Sequence, residues 1–443
     1  MHRRSFLAGA AAFAARKALG ANDTLRVGLI GCGGRGRYVA GLMAQAPNVE
    51  FAAVCDVYGA NRERAKAALN PKAQEYGDFR RVLERKDLDA VMVSTPDHWH
   101  AIITILACES GKHVYVEKPL SYTVREGRAM VTAARRANRI VQAGTQHRSA
   151  PHFAELADLV RRGDLGDIAY VRVWNYVNIF PGGIGHAPDS APPPDLDWDF
   201  WLGPAPKVPY NSLRCLTTFR FFRDYAGGTI TDFGTHRFDT VHQIMGADKP
   251  KSVVASGGRF VLKDDGNVPD TMQVTYEYPG WILSYECSSI NGHGLGGRTP
   301  GMRYYNARGA DDRPHGMAFY GTKGTIFADR IGYDLYPPDI RYGFGGVKVT
   351  EAIAGVPRQF KNTTDATAAH TRNFVDAVRL GVKPACDVET GHRATLVAHL
   401  GNIALATGRK LRWDAETETF PDDSAANALL FREPRRPWSI PFA

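Results

Sequence analysis

The sequence lacks long hydrophobic runs, clustered cysteines and long runs of one charge. No stretch of about 18 apolar residues occurs, which excludes a transmembrane helix from the mature chain. Six cysteines in 443 residues lie far apart and form no C-x-x-C pair, which argues against a zinc site or a dense disulfide framework. The net charge of +9 is spread along the chain, so we expect no nucleic-acid partner and no membrane-surface role.

The first twenty residues resemble an export signal. Arg3 and Arg4 precede an apolar run at residues 6–15, which is too short to span a bilayer, and small residues follow at 18–20. The R-R-x-F-L pattern is typical of a twin-arginine signal peptide, and the alternative is a short amphipathic helix. We therefore expect residues 1–20 to be removed and the mature protein to be periplasmic or otherwise exported.

Short apolar runs alternate with helical patterns between residues 24 and 147. This alternation predicts a parallel β-sheet covered by helices on both faces. The predicted strands are 25–30, 49–55, 89–94, 113–116 and 140–143. The predicted helices are 37–45, 61–69, 101–109 and 124–138.

The pattern changes after residue 147. Glycine-containing turns separate short strands in the second half, which is typical of antiparallel hairpins. The predicted strands are 169–177, 271–278, 281–287, 317–321 and 325–328, and the predicted helices are 153–161, the second half of 228–245, 366–380 and 391–407. We expect a second α/β domain over residues 148–410 and an extended, proline-rich tail over residues 411–443.

Residues 31–36 carry a dinucleotide-binding fingerprint. They fit G-x-G-x-x-G at Gly31, Gly33 and Gly36, after a predicted strand and at the start of a helix. Gly34 and Arg35 lie within the same loop. The glycines allow a tight turn, close approach to a pyrophosphate and close helix–strand packing. Asp56 ends the next strand, where an acid accepts hydrogen bonds from ribose hydroxyls and repels a 2′-phosphate, which favours NAD over NADP.

Two further strands end in polar motifs at the same predicted sheet edge. Ligands of open α/β sheets bind beyond the carboxyl ends of the strands, so these motifs are assigned to the cofactor site. They contribute Thr95, Pro96, His100, Glu117 and Lys118. His98 and His100 have a spacing seen in metal pairs, but no nearby acid or cysteine completes a ligand set, and we expect no metal.

Together these motifs resemble the Gfo/Idh/MocA oxidoreductases. The matching pieces are the glycine fingerprint, T-P-x-x-x-H at residues 95–100, E-K-P at 117–119 and G-G-x-x-x-D-x-G-x-H at 227–236. The resemblance implies a Rossmann domain followed by an α/β domain with a large, open, mainly antiparallel sheet that commonly makes homo-oligomer contacts. It also implies a sugar, inositol or polyol substrate. The signal and the W-D-F-W-L-G-P loop at 198–204 are similar to an exported bacterial branch.

Three residues are the candidate catalytic groups: Lys118, Asp232 and His236. Oxidation of a secondary alcohol needs a base for the hydroxyl proton and a group that stabilises developing alkoxide charge. On a helix, Asp232 and His236 share one face. We expect His236 to accept the proton, Asp232 to orient it and bind substrate, and Lys118 to stabilise the oxygen. The sequence leaves open whether His236 or Lys118 takes the proton.

Three function classes remain possible at this point. The first is an NAD-dependent sugar or polyol dehydrogenase. The second is an NAD-dependent glycosidase or lyase that oxidises its substrate transiently, although some relatives of that kind replace the E-K-P lysine, which is intact here as Lys118. The third is a ligand sensor without chemistry, which the complete catalytic set disfavours.

Further side chains are weaker candidates for the substrate pocket. Aromatic rings suit the apolar faces of sugars, but they equally suit a protein core. The aromatic candidates are Trp174, Tyr176, Trp198, Trp201 and Tyr225. Arg148 and Arg223 are additional candidate substrate ligands.

Overall fold

The computed structural model describes residues 23–292, 314–336, 358–361 and 364–441. The predicted signal peptide at residues 1–20 lies outside these ranges. Within them, no helix is long and apolar enough to cross a membrane.

Six parallel strands form the first sheet, which confirms the predicted Rossmann domain. Its order is β3-β2-β1-β4-β5-β6, so the direction of winding reverses between β1 and β4. Ligands of such sheets bind at this switch point. The strands are β1 Leu25–Ile30, β2 Val49–Cys55, β3 Gln74–Tyr76, β4 Ala90–Val93, β5 His113–Val116 and β6 Val141–Ala143. The helices are α1 Gly34–Met43, α2 Gly59–Leu69, α3 Phe79–Glu84, α4 His100–Glu109 and α5 Val124–Arg136.

The start of α5 is fixed by a capping box just after the E-K-P motif. The Thr123 hydroxyl accepts from the Glu126 N–H at 3.3 Å, and the Glu126 carboxylate accepts from the Thr123 N–H at 3.1 Å. This reciprocal pair satisfies two backbone donors that a helix otherwise leaves free. The loop that carries Lys118 is thereby held at a defined distance from α5.

Nine strands of the described residues form the second sheet, which confirms the predicted large, mainly antiparallel sheet. Its order is β14-β13-β12-β11-β7-β10-β9-β8-β15, and the β7–β10 pair is parallel. The central strands are β7 Ile168–Tyr176, β9 Thr271–Tyr278, β10 Trp281–Ser288 and β11 His315–Gly321. The outer strands are β8 Ser252–Gly258, β12 Gly324–Ala328, β13 Gly332–Tyr336, β14 Arg358–Lys361 and β15 Leu411–Arg412.

The helices that follow the first domain are α6 Pro151–Arg161, α7 Trp198–Leu202, α8 Thr235–Met245, α9 Ala366–Leu380, α10 Val388–Thr407 and α11 Ser424–Ala428. Residues of α6, α8, α10 and α11 join the apolar cluster of the second sheet, whereas α7 belongs to a separate cluster with Val57 and Tyr58. Tyr276 of β9 donates its hydroxyl to the carbonyl of Val397 in α10, at 2.8 Å. Phe374 and Val378 of α9 join the apolar cluster of the Rossmann domain. The C-terminal helices therefore tie the two sheets together.

Candidate active site

A cavity of about 540 Å³ opens at the carboxyl ends of β1 and β4, at the switch point of the first sheet. Eight of the predicted cofactor residues line it: Gly31, Gly33, Gly34, Arg35, Gly36, Asp56, Thr95 and Pro96. The other three, His100, Glu117 and Lys118, lie outside this lining. Phe79, Trp99 and Phe200, which were not among the predicted site residues, add aromatic walls.

The glycine loop needs its glycines for backbone geometry. Gly31 has a φ of +90°, and a Cβ there would lie 2.5 Å from the carbonyl carbon of Ser94. A Cβ on Gly36 would lie 2.2 Å from the carbonyl oxygen of Gly31. A Cβ on Gly33 or Gly34 would meet open space instead, so the loop leaves room for a ligand against its backbone.

Asp56 is held rigidly at the cavity wall. Its Oδ2 accepts from the backbone N–H of Cys32 at 2.7 Å, and its Oδ1 accepts from the N–H of Tyr58 at 2.9 Å. Burial raises the pKa of Asp56, while these hydrogen bonds act in the opposite direction. The side chain thus ties the glycine loop to the end of β2, with its carboxylate facing the cavity that a ribose would enter.

Polar groups without partners show that the cavity fits a dinucleotide. Arg35 Nε donates to Glu117 Oε1 at 2.9 Å, but Arg35 Nη2 is buried and has no hydrogen-bond partner. The hydroxyls of Ser94 and Thr95 are buried without partners as well. Buried polar groups need partners, and donors at a helix N-terminus suit phosphate oxygens. The loop residues would therefore hold the pyrophosphate, and Asp56 the adenosine ribose.

The predicted catalytic lysine and aspartate lie together, from opposite domains. Lys118 Nζ forms an ion pair with Asp232 Oδ1 and also donates to the Asp232 carbonyl at 2.9 Å. Arg220 Nε reaches the same Oδ1 at 3.2 Å. Burial alone would raise the pKa of Asp232, but the charges of Lys118 and Arg220 lower it to about 2. The carboxylate is therefore ionised throughout the neutral range.

The expected pairing of Asp232 with His236 is wrong. The Asp232 carboxylate is engaged by two cations, which attract it more strongly than a neutral imidazole. His236 instead lies against His147, with ring centroids 4.9 Å apart. His236 is 4% exposed, and its Nδ1 has no hydrogen-bond partner. Burial, with the charges of His147 and Lys118, holds the pKa of His236 well below its usual value, so the ring is neutral.

The local backbone explains how the G-G-x-x-x-D-x-G-x-H motif delivers both side chains. Gly228 has a φ of +80°, and a Cβ there would lie 3.0 Å from Val268. A π-helical turn follows over Ile230–Gly234 and runs directly into α8. Wide π-type turns often occur at functional sites. Asp232 lies in this turn and His236 in the first turn of α8, and both lie close to Lys118.

His100 and His98 hold loops together. The two ring nitrogens of His100 lie 2.9 Å from the Thr95 carbonyl and 2.7 Å from the Pro119 carbonyl. His100 thereby links the T-P-x-x-x-H motif to the E-K-P motif from behind the cavity. His98 Nε2 lies 3.1 Å from the carbonyl of Trp201. In the described ranges, no three histidine, cysteine or acidic side chains form a metal-binding group.

Some of the further candidate side chains line the cavity, and others lie in the protein interior. Trp201 lines the cavity, whereas Trp174 and Tyr225 are completely buried. Arg148 is paired with the buried Asp239 at 2.7 Å, which leaves it a structural role.

Arg223 is exposed and lies outside the cavity lining, whereas two charged residues near the ion pair were not expected from the sequence motifs. Arg223 Nε lies 3.3 Å from the Asn267 carbonyl. Arg220 is in an irregular, proline-rich stretch that carries no motif, yet it lines the cavity and holds Asp232. Asp97 lies inside T-P-x-x-x-H, and burial raises its pKa to about 7 against the lowering charges of Arg220 and Lys118. Only its position within that motif could have drawn attention to Asp97.

Comparisons with known proteins agree with this architecture. Residues 25–145 match the NAD-binding Rossmann domain of the Gfo/Idh/MocA oxidoreductase family, and residues 168–279 and 347–440 match its C-terminal α/β domain. A myo-inositol 2-dehydrogenase from Thermotoga maritima is 23% identical over 88% of this chain and 98% of its own. A glycosyl hydrolase family 109 protein from a Shewanella species is 35% identical, but the match covers 33% of this chain and 34% of that protein.

A solved structure supports the fold along most of the chain. A levoglucosan dehydrogenase, in complex with NADH and levoglucosan, superposes with a TM-score of 0.64 at 19% identity. The match covers 88% of this chain and 99% of that one. At this identity the likeness establishes the fold. With both domains matched and the cofactor cleft formed by the fingerprint residues, the chain belongs to the Gfo/Idh/MocA family of NAD-binding oxidoreductases.

Proposed function

We propose that this protein transfers a hydride between NAD and a secondary hydroxyl of a sugar, glycoside or polyol. One observation carries the proposal: Lys118 from the Rossmann domain meets Asp232 from the second domain beside the cofactor cleft, with the neutral His236 close to the same lysine. The imidazole can serve as the base that alcohol oxidation needs, and the cation, held by the carboxylate, can stabilise the developing alkoxide charge. The inositol and levoglucosan dehydrogenases similar to this chain fit that substrate class.

The side chains divide the chemistry among them. NAD supplies the hydride acceptor when it is bound. The Lys118 ammonium donates a hydrogen bond to the substrate oxygen and stabilises negative charge there. Asp232 holds Lys118 in place and accepts from a neighbouring substrate hydroxyl. The neutral His236 is ready to take the hydroxyl proton on an open ring nitrogen. Lys118 is the other candidate for that step, in which it would act as the neutral amine and not as the ammonium.

The Asp56 carboxylate supports a preference for NAD over NADP. It is half-buried, fixed by two backbone N–H groups and placed at the end of β2. A 2′-phosphate there would face a carboxylate, whereas ribose hydroxyls would donate to it.

A second candidate is redox-neutral cleavage of a glycoside, with transient oxidation by bound NAD. The match to a glycosyl hydrolase family 109 protein favours it.

The experiment that separates the dehydrogenase from the glycosidase uses purified protein with a panel of free sugars, polyols and aryl glycosides. NADH absorbance and aglycone release are recorded together. Accumulating NADH with a free sugar or polyol supports the dehydrogenase, and aglycone release without net NADH supports the glycosidase. Neither signal on any member would overturn both.

Export and self-association complete the proposal. The twin-arginine pattern at residues 3–7 supports a periplasmic location, where a folded enzyme would carry its cofactor with it. The face of the second sheet that the described residues leave uncovered supports homo-oligomerisation, because it exposes Tyr170 and Ile282 on the neighbouring strands β7 and β10, and Val254 on β8. Cell fractionation tests the location. Light scattering of wild type and Ile282→Glu tests the oligomer, which should dissociate in the variant.

A further inference from the structure

The final described residues, 430–441, run back from the second domain to the first; we name them the tail strap. They form neither helix nor strand. Leu430 is fully buried at one end, and Ile440 at the other end belongs to an apolar cluster of the Rossmann domain. An irregular segment anchored at both ends is held by side-chain contacts along its length. Arg432, Arg435 and Trp438 make such contacts.

Arg432 ties together the two chain segments that carry the catalytic ion pair. Its Nη1 donates to the Tyr122 hydroxyl at 2.8 Å and to the Asp224 carbonyl at 3.0 Å. Its guanidinium also lies 4.1 Å from the centre of the Tyr122 ring. Tyr122 follows Lys118 in the same loop, and Asp224 precedes Asp232. The strap is therefore connected to both sides of the catalytic cleft.

Arg435 holds the short helix α7. Its guanidinium donates to the carboxylate and the carbonyl of Asp199, at 2.8 and 2.9 Å, and to the carbonyl of Gly203 at 2.9 Å. Its backbone N–H donates to the carbonyl of Pro204 at 2.9 Å. A helix of five residues is not stable by itself in water. The position of α7 therefore depends on such tertiary contacts.

Trp438 packs behind the cofactor cavity. Its ring centroid lies 4.6 Å from that of Trp99, 5.5 Å from that of Phe200 and 6.3 Å from that of Phe79. Arg80 lies 5.6 Å from both the Phe200 and the Trp438 rings. Each of the three aromatic partners lines the cavity, and Phe200 comes from α7. One tail side chain thus supports the wall where the two domains meet.

We propose that the tail strap is a positioning element for NAD, in which Arg435 and Trp438 hold α7 against the Rossmann domain and slow cofactor release. The proposal rests on NAD occupying the cavity. Release past this wall requires Phe200 to separate from Phe79 and Trp99, and Trp438 packs on all three rings. Trp438 makes its ring contacts with three cavity-lining side chains, and Arg435 holds the helix that carries one of them, Phe200.

The test measures NAD release from the full-length holoprotein. The variants are Trp438→Ala, Arg435→Ala and the conservative Trp438→Phe, with Leu429→Ala, a 46% exposed tail residue outside the strap, as the control. NADH dissociation is followed by stopped-flow fluorescence, and bound NAD is quantified after desalting. The melting temperature of the NAD-free protein reports folding separately.

We expect dissociation at least about tenfold faster in both alanine variants, the size expected for losing an aromatic cluster or a multiply bonded arginine. Trp438→Phe should restore most of the wild-type rate, Leu429→Ala should match wild type, and KM for NAD should rise more than kcat falls. Wild-type release rates in Arg435→Ala and Trp438→Ala, with only the melting temperature lowered, would overturn the strap. If Trp438→Ala does not fold, the NADH dissociation rates of Arg435→Ala and Trp438→Phe test the proposal. Wild-type protein that binds no NAD would instead reject the cofactor assignment itself.

Discussion

The ammonium group of Lys118 contacts both the carboxylate and the main-chain carbonyl of Asp232, so one lysine joins the Rossmann domain to the π-helical turn of the second domain. Both side chains are less than one-fifth exposed, at 13% and 19%. A shielded ion pair of this kind is strongly coupled, and removing one partner leaves the other uncompensated. The pair therefore serves both the chemistry and the closure of the cleft.

The first prediction is that Lys118→Ala lowers the rate of hydride transfer by roughly 10²–10⁴-fold, the usual range for an acid–base or electrostatic group. NAD affinity should change little, because Lys118 lies outside the lining of the cofactor cavity. Single-turnover kinetics that follow nicotinamide absorbance measure the rate, and calorimetry measures the affinity. Lys249→Ala, at an exposed lysine, is the control. A near wild-type rate in Lys118→Ala would show that the catalytic assignment is wrong.

The second prediction concerns the proton acceptor. Burial, with neighbouring positive charge, lowers the pKa of His236 below 6.5, the ordinary pKa of a histidine. The neutral base therefore persists below pH 6.5. If His236 takes the proton, kcat/KM for oxidation stays constant as the pH falls to 6.5 and declines only below it. His236→Gln should then lose about 10²–10⁴-fold in rate together with that acidic decline. A variant that keeps the rate and the wild-type pH profile would show that His236 does not take the proton.

Asp232→Asn tests the same site from the carboxylate side. The change keeps the shape but removes the charge that faces Lys118 and Arg220. With two cations left without their counter-ion, the pH–rate profile should move, and the melting temperature should fall. An unchanged profile would mean that the Asp232 charge does not act on the reacting groups.

The third prediction is that Asp56→Ala weakens NAD binding relative to NADP by about 10–100-fold, the equivalent of one or two charge-assisted hydrogen bonds. Asp56→Asn should lie between, since its single amide oxygen can still accept from one of the Cys32 and Tyr58 N–H groups, while the other acceptor and the charge are lost. Asp158→Ala, at an exposed acid, is the control. Titration calorimetry measures the affinity of each variant for NAD and for NADP. A wild-type protein that prefers NADP would contradict the prediction.

The sequence predicted the elements whose apolar residues repeat regularly. Strand β2 and helix α9 were predicted with the bounds that the structure shows, because long apolar patterns mark them. Strand β3 has three residues, none of them buried, so its position depends on pairing with β2 alone. Neither strand β3 nor helix α7 was predicted from the sequence. The five residues of α7 are too few for a periodic pattern, and contacts with the tail hold them in place.

The same limit applies to the site. The spacing of Asp232 and His236 indicated a shared helix face but not the partner of each side chain. The lysine that binds Asp232 is 114 residues away in the chain, and Arg220 belongs to no periodic segment. Motifs therefore located the cleft and its cofactor, while the electrostatic pairing within it depends on how the two domains meet.

The last prediction concerns stability against acid, through His242 of α8. This ring is buried, lies 2.8 Å from the Tyr278 hydroxyl, and has a pKa lowered to about 3 by burial and the charges of Arg148 and Arg393. In the unfolded chain the same group titrates near 6.5. Between these two values the unfolded state binds the extra proton, so stability falls as the pH drops below 6.5. Above 6.5 the group has no effect.

His242→Gln removes this proton linkage but keeps a polar partner for Tyr278. Relative to wild type, the variant should lose less unfolding free energy between pH 6.5 and pH 5, by up to about 1.4 kcal/mol per pH unit. Urea denaturation at several pH values measures the difference, and other titrating groups cancel in the comparison. His186→Gln is the matched control, because that ring is exposed and its pKa is raised through a hydrogen bond to Asp265. Equal pH slopes for wild type and His242→Gln would show that His242 protonates without unfolding.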